Sequence, residues 1–93
     1  MTNDLEVLKF SASWCRPCRT LAQILEGVEG ITSVDIDSQP DIAREHNVRS
    51  VPLILFKVKG KEVYRHVGLL SKTEYEKIIT EIHSSKELWE KNN

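Results

Sequence analysis

Four short stretches of the chain carry the apolar and β-branched patterns of β-strands. Residues 5–10 (LEVLKF) and 51–58 (VPLILFKV) are mostly apolar runs. Residues 31–36 (ITSVDI) are β-branched and roughly alternating, and residues 62–67 (EVYRHV) form another strand. A tight turn at residues 59–61 (KGK) separates the last two strands along the chain, which predicts an antiparallel hairpin.

Three other stretches are typical of helices. The helix after Cys15 shows apolar residues at i, i+3, i+4 and i+7, and Gly27 and Gly30 bracket its end; the stripe is Leu21, Ile24, Leu25 and Val28. A short helix opens at Pro40 and runs to about His46. A capping box precedes a last amphipathic helix; its members are Ser71 and Glu74, and the apolar stripe is Tyr75, Ile78, Ile79 and Ile82.

The predicted element order is β-α-β-α-β-β-α. A helical crossover joins the first two strands, which are therefore expected to be parallel and right-handed in their connection. The hairpin adds antiparallel strands, and helices can cover both faces of the sheet. The pattern thus predicts an α/β fold with a four-stranded mixed sheet. A chain of 93 residues makes one domain, 1–93, with a core over about 5–83 and a helix extension or tail over 84–93.

Charge and composition exclude several classes of protein. Lys and Arg number 13 against 14 Asp and Glu, and the net charge of −1 argues against nucleic-acid binding by bulk electrostatics. No apolar run has the length of a transmembrane helix, so no membrane association is expected. The first residues, MTNDLE, lack the pattern of a signal peptide, and a cytoplasmic location is expected.

The two cysteines are too few for a disulfide-stabilised secreted scaffold, but their spacing indicates chemistry. Cys15 and Cys18 stand where a predicted strand gives way to a helix. The free N–H groups and the dipole of a helix N-terminus stabilise a thiolate, which lowers its pKa and makes it a nucleophile. Pro17 suits the first helical turn, and Arg16 adds a positive charge beside the thiolate. The spacing also lets the two sulfurs close a small disulfide ring.

Two other interpretations of the cysteine pair are inert thiols and half of a zinc site. Zinc would require two more ligands, and the available histidines, none at finger-like spacing, are His46, His66 and His83. Redox chemistry is therefore favoured, with no metal and no cofactor expected.

Residues 14–18 (WCRPC) resemble the active-site pentapeptide of thioredoxins, with Arg16 where the commonest form has Gly. Residues 34–37 (VDID), followed by Gln-Pro, resemble the next strand and loop of that family. Residues 47–52 (NVRSVP) are similar to its segment that ends in a cis-proline. Further matches in register are Gly60, Val67, Gly68, Leu70, Ser71 and Lys72, so the resemblance covers roughly residues 5–83.

The resemblance implies a thioredoxin-like fold and a role for each site residue. Cys15 would be the exposed attacking thiol and Cys18 the resolving thiol. The substrate chain would dock on a shallow apolar surface as a short antiparallel strand, held by the backbone of Val51 beside a cis Pro52. The implied substrate-binding residues are Trp14, Arg16, Pro17, Val51, Pro52 and Gly68.

The chain departs from the family pattern at its N-terminus and at three further positions. Thioredoxins usually carry a further strand and helix before the strand at residue 5, and only four residues precede it here. The buried Asp that assists the resolving cysteine is replaced by Lys9, and the Lys that partners it by Ser33; an aromatic residue before the motif is replaced by Ser11. The ammonium of Lys9 would either tune Cys18 from a buried position or extend to water without chemical effect.

The expected function is a thiol–disulfide oxidoreductase that reduces disulfide-bearing proteins and acts as a monomer. The resemblance implies an NADPH-linked thioredoxin reductase as electron donor. One alternative is a more oxidising oxidase or isomerase, because Arg16 would stabilise the reduced form. The other is a non-catalytic accessory subunit that binds partners through the same surface of Trp14, Pro52 and Gly68.

Overall fold

A computed structural model describes residues 4–85, and their element order is the predicted β-α-β-α-β-β-α. The strands are β1 (Leu5–Ser11), β2 (Ile31–Asp35), β3 (Leu53–Val58) and β4 (Lys61–Val67). The helices are α1 (Arg16–Ile24), α2 (Pro40–Glu45) and α3 (Lys72–Ser84). The predicted helix extension or tail over 84–93 lies outside the described residues from position 86 onward.

The four strands form one mixed sheet in the order β2-β1-β3-β4. β1 and β2 are parallel, as expected for strands joined by a helical crossover. β1 pairs antiparallel with β3, and β3 pairs antiparallel with β4. The predicted mixed sheet with a C-terminal hairpin is therefore confirmed, and β1 lies inside it, between β2 and β3.

Helices cover both faces of the sheet because successive residues of a strand point to opposite sides. On one face α1 and α3 pack over a core of Val7, Leu21, Leu25, Ile54, Phe56, Leu70 and Tyr75. On the other face α2 packs over Leu8, Phe10, Val34, Leu53 and Leu55. The alternation along β1 thus divides its apolar residues between two clusters, and both helical layers hold the strand that leads to the cysteines.

The hairpin between β3 and β4 closes through a two-residue turn. Lys59 and Gly60 have φ of 52° and 81°, and positive φ at both central residues is the requirement of a type I′ turn. Lys61, which the sequence placed in the turn, already belongs to β4 and pairs with Val58. The turn is therefore one residue shorter than predicted.

Two predicted boundaries are wrong, one of them next to the cysteines. The third strand was predicted to begin at Val51, but β3 begins at Leu53, and Val51 and Pro52 form a loop with the implied cis peptide bond between them. Proline has no N–H to give to a strand ladder. Helix α1 ends at Ile24 instead of continuing to Val28. Val28 still packs against the apolar core from the turn that follows the helix.

The predicted capping box at the start of α3 is confirmed. The Ser71 hydroxyl accepts the Glu74 N–H at 3.0 Å, and Glu74 Oε1 accepts the Ser71 N–H at 2.7 Å. The hydrogen bond from the Ser71 backbone holds the pKa of the Glu74 carboxyl below its ordinary value. The ionised carboxylate is therefore the form that caps the helix.

Glu74→Gln is expected to reduce the free energy of unfolding at pH 7, because a neutral amide accepts the Ser71 N–H more weakly than a carboxylate does. A carboxyl whose folded pKa is depressed stabilises the fold above its unfolded pKa, and this contribution is lost as the pH falls below 4.5 through the folded value. Urea unfolding at a series of pH values measures the difference. Glu76→Gln, at an exposed position of the same helix, is the control. A deficit of Glu74→Gln that persists unchanged in acid would contradict the prediction.

Candidate active site

The two cysteines form a disulfide at the N-terminus of α1. Cys15 is the N-cap residue of the helix, with φ −96° and ψ 109°, and its Sγ accepts the Cys18 N–H at 3.2 Å. Cys18 lies in the first turn, and the two Cα atoms are 5.3 Å apart. The predicted pairing across three positions is confirmed, and the Cys15 sulfur is bound to the positive end of the helix.

The local sequence explains why the helix starts at this point. β1 ends at Ser11, and the Cys15 N–H then donates to the Ala12 carbonyl at 3.2 Å, which turns the chain out of the sheet. Pro17 occupies the first turn of α1, where a missing N–H costs no helical hydrogen bond. The side chains of Arg16 and Pro17 are exposed beside the disulfide.

The disulfide is largely covered by protein. Cys15 and Cys18 are each 5% exposed, and with Ala12 they form a small apolar cluster against which Ile36 and Val51 pack. The greater exposure expected of Cys15 is thus absent in the disulfide form. Position relative to the helix, and not exposure, is what distinguishes the two cysteines.

The loop before β3, which is distant in sequence, contacts the disulfide. The Val51 carbonyl oxygen lies 3.8 Å from Cys15 Sγ. The next carbonyl, of Pro52, accepts the Gly68 N–H at 2.9 Å, so the end of β4 holds this loop in place. Gly68 has φ 96°, a conformation that favours glycine. The structure therefore places Val51 beside Cys15 and ties the adjacent Pro52 to Gly68, and a substrate-binding role for these residues stays a prediction.

Trp14 is fixed at the rim of the site although its side chain is 67% exposed. Its indole Nε1–H donates to Asp37 Oδ2 at 2.9 Å. Asp37 was not among the predicted site residues, although a signal was available. It follows β2, which is parallel to β1, and the carboxyl ends of parallel strands meet at the same edge of a sheet. The parallel pairing therefore predicts that Asp37 lies near the segment that carries Trp14.

Arg19 is a second residue that the sequence reasoning missed. Its Nη1 donates to the Ser13 carbonyl at 2.9 Å, so the guanidinium is fixed against the loop that precedes Cys15. Its spacing from Arg16 could have indicated this residue. Positions i and i+3 are neighbours on a helix surface, so Arg19 is expected on the same side of α1 as Arg16.

Lys9 lies inside the sheet near the end of β1. It is half-buried and stands opposite Ser33 of β2 and Ile54 of β3. Within residues 4–85 its ammonium makes no hydrogen bond or ion pair, and in particular none to Cys18. A tuning role for Lys9 stays a prediction.

Two of the three histidines considered as zinc ligands have other partners. A ring nitrogen of His46 lies 2.9 Å from the Ile42 carbonyl, and one of His66 lies 2.9 Å from the Leu69 carbonyl. Among the residues that the structure describes, no three His, Cys, Asp or Glu side chains come together as a metal site would need. None of the helices in that part of the chain has the length and apolar character needed to cross a membrane.

Comparisons with known proteins agree with this geometry. The family model described as Thioredoxin matches residues 1–81. A thioredoxin of Chlamydia trachomatis is 42% identical over 87 residues, which cover 86% of this chain and 84% of that protein. The crystal structure of a thioredoxin from Nicotiana alata has a TM-score of 0.75 at 31% identity, with 84% of this chain and 73% of that one covered. A mutant thioredoxin from Halobacterium salinarum has a TM-score of 0.76 at 28% identity, with 83% and 73% covered.

Asp37→Ala is expected to release the Trp14 indole. The Nε1–H then loses its acceptor, so its NMR resonance shifts and its hydrogen exchange with water becomes faster. The indole resonance of Trp89 serves as an internal reference. Asp41→Ala, which removes an exposed carboxylate paired with Arg44, is the matched control. An indole resonance of Trp14 that is the same in Asp37→Ala as in the wild type would refute the assignment of this bond.

Proposed function

Since the chain belongs to the thioredoxin family, we propose that it is a thiol–disulfide oxidoreductase that reduces disulfides of other proteins through Cys15 and Cys18. The observation that carries this proposal is the Cys15–Cys18 disulfide at the N-terminus of α1. It is the oxidised product of such a reaction, held where a helix stabilises the thiolate that results from its reduction.

The reaction proceeds by two thiolate attacks. The Cys15 thiolate of the reduced protein attacks one sulfur of a substrate disulfide, and the other substrate sulfur leaves as a thiolate that takes up a proton. Cys18 then loses its proton and attacks Cys15 Sγ, which breaks the mixed disulfide and releases the second substrate thiol. Two electrons pass to the substrate, and the protein ends with the Cys15–Cys18 bond seen here.

The position of Cys15 supports its role as the attacking residue. Its sulfur already accepts the Cys18 N–H, and the same interaction would stabilise the Cys15 thiolate that attacks the substrate disulfide in the first step. Cys18 lies one turn further, with its Cα 5.3 Å from that of Cys15, within the range that disulfides require. Resolution therefore needs no rearrangement of the backbone.

The loop of Val51 and Pro52 is the proposed dock for the substrate chain. In the described part of the chain no acceptor takes the Val51 N–H, and the Val51 carbonyl faces Cys15 Sγ. A substrate segment in extended conformation would pair with these groups and place its sulfur beside Cys15. Apolar surface for its side chains is available at Trp14 and Val67, which are 67% and 58% exposed.

The electron donor proposed for the next cycle is an NADPH-linked thioredoxin reductase, and the proposed compartment is the cytoplasm, where a disulfide reductase finds reducing partners. We propose that the chain acts as a monomer, because one copy carries both cysteines and the loop against which substrate would dock.

The Cys18→Ser variant is expected to trap a disulfide-bonded protein substrate as a stable mixed disulfide, because Cys15 still attacks but nothing resolves the product. Non-reducing electrophoresis and mass spectrometry measure the adduct and locate it on Cys15. Cys15→Ser is the matched control and should trap little. Equal trapping by both variants would contradict the assignment of Cys15 as the attacking residue. Absence of substrate reduction by the wild-type dithiol would refute the function.

Lys9→Asp tests whether position 9 assists the resolving cysteine. A carboxylate there is expected to accept the proton of Cys18, so that the mixed disulfide resolves at least about tenfold faster, since a positioned general base typically contributes that much or more. Rapid mixing with a preformed mixed disulfide, at several pH values, measures the resolution step directly. Lys9→Gln separates the gain of a base from the loss of the ammonium. An unchanged rate and pH profile in Lys9→Asp would show that position 9 has no catalytic part.

A further inference from the structure

Three arginines on the segments that lead to the disulfide have no acidic partner within the described residues. Arg16 and Arg19 lie on the first turns of α1, and Arg49 stands two residues before Val51. All three arginines are exposed residues. The ion pairs found within residues 4–85 are those of Arg44 with Asp41 and of Arg65 with Glu62, so these three charges are not neutralised by a salt bridge.

Two carboxylates at the carboxyl end of β2, those of Asp35 and Asp37, already accept hydrogen bonds from the chain. Asp37 accepts the Trp14 indole N–H at 2.9 Å, and Asp35 Oδ1 accepts the backbone N–H groups of Asp37 and Ser38 at 2.8 and 3.3 Å. The three arginines outnumber these two carboxylates, although the net charge of the whole chain is −1. Attraction of an acidic partner to the rim of the site would come from these local charges, because the protein as a whole does not attract anions.

Arg49 also lines a groove whose residues Ser50 and Leu53 flank the proposed dock in sequence. The groove measures about 370 Å³ and is bounded by Asn47, Arg49, Ser50, Leu53, Arg65 and Val67. Ser50 precedes Val51, and Val67 precedes Gly68, so a chain that pairs with Val51 would pass beside this groove. Arg65 is occupied there by Glu62, with bonds of 2.6 and 2.9 Å, which leaves Arg49 as the guanidinium available to a ligand.

We propose that the site prefers protein disulfides flanked by acidic residues, with Arg49 on the dock side and Arg16 and Arg19 on the helix side. The inference rests on the proposed function and adds a substrate class to it. Guanidinium groups bind carboxylates with two parallel hydrogen bonds, and opposite charges speed encounter between the partners. The two arginine groups lie on the two segments that meet at Cys15 Sγ, so acidic residues on either side of a substrate cysteine have a partner.

The test compares peptides that share one internal disulfide and differ only in flanking residues, which are Glu, Gln or Lys. The second-order rate constant for their reduction by the dithiol form of the wild-type chain is measured by stopped-flow or by chromatography of quenched samples. We expect the Glu peptide to react about tenfold faster than the Lys peptide at low ionic strength. The ratio should fall towards one in 1 M salt, where the Debye length is about 3 Å.

Arg49→Gln is expected to lower the ratio of the Glu to the Lys rate constant several-fold, and Arg16→Gln to lower it again. Arg44→Gln makes the same change in net charge at an exposed position of α2 and should leave the ratio as it is in the wild type. Equal reduction of all three peptides by the wild-type chain, or an equal fall in the ratio for Arg44→Gln and Arg49→Gln, would overturn the preference while the reductase function stands. Reduction of none of the peptides would overturn both.

Discussion

The hydrogen bond from the Cys18 N–H to the Cys15 sulfur is the interaction on which the rest of the site depends. It makes one residue serve as helix cap and as reactive group. The first-turn N–H groups of any helix need partners, and here a sulfur meets that need in place of the usual Ser, Thr or Asp. The same hydrogen bond therefore caps α1 and is available to stabilise a thiolate at Cys15. The position at which the helix starts determines which cysteine receives this stabilisation.

The sheet determines what surrounds this helix start. β1 lies between β2 and β3, so its carboxyl end is flanked on one side by the end of a parallel strand and on the other by the beginning of an antiparallel one. The first neighbour brings Asp37 to Trp14, and the second brings the Val51 carbonyl to Cys15. Three segments far apart in sequence thus meet at one edge because of strand order.

Most of the fold was predictable because local patterns carry it. The apolar run of β1, the capping box at Ser71 and the position of Cys15 before an apolar helical stripe are all properties of a few neighbouring residues. The errors occur where tertiary contacts decide. Val28 packs on the core from outside α1, and its apolar character did not reveal where the helix ends. Asp37 gained a site role only through the parallel pairing of β1 and β2.

Because the disulfide is buried, the exposed residues around it are the ones that can discriminate between partner proteins. Both cysteines are 5% exposed in the disulfide form, and under the proposed function a substrate chain would contact the surrounding surface as its sulfur approaches Cys15. That surface combines the exposed apolar side chains of Trp14 and Val67 with arginines that lack acidic partners. Apolar contact is tolerant of sequence, whereas charge discriminates between partners. A reductase built in this way can have general chemistry at the sulfur and still choose among proteins by the residues beside their disulfides.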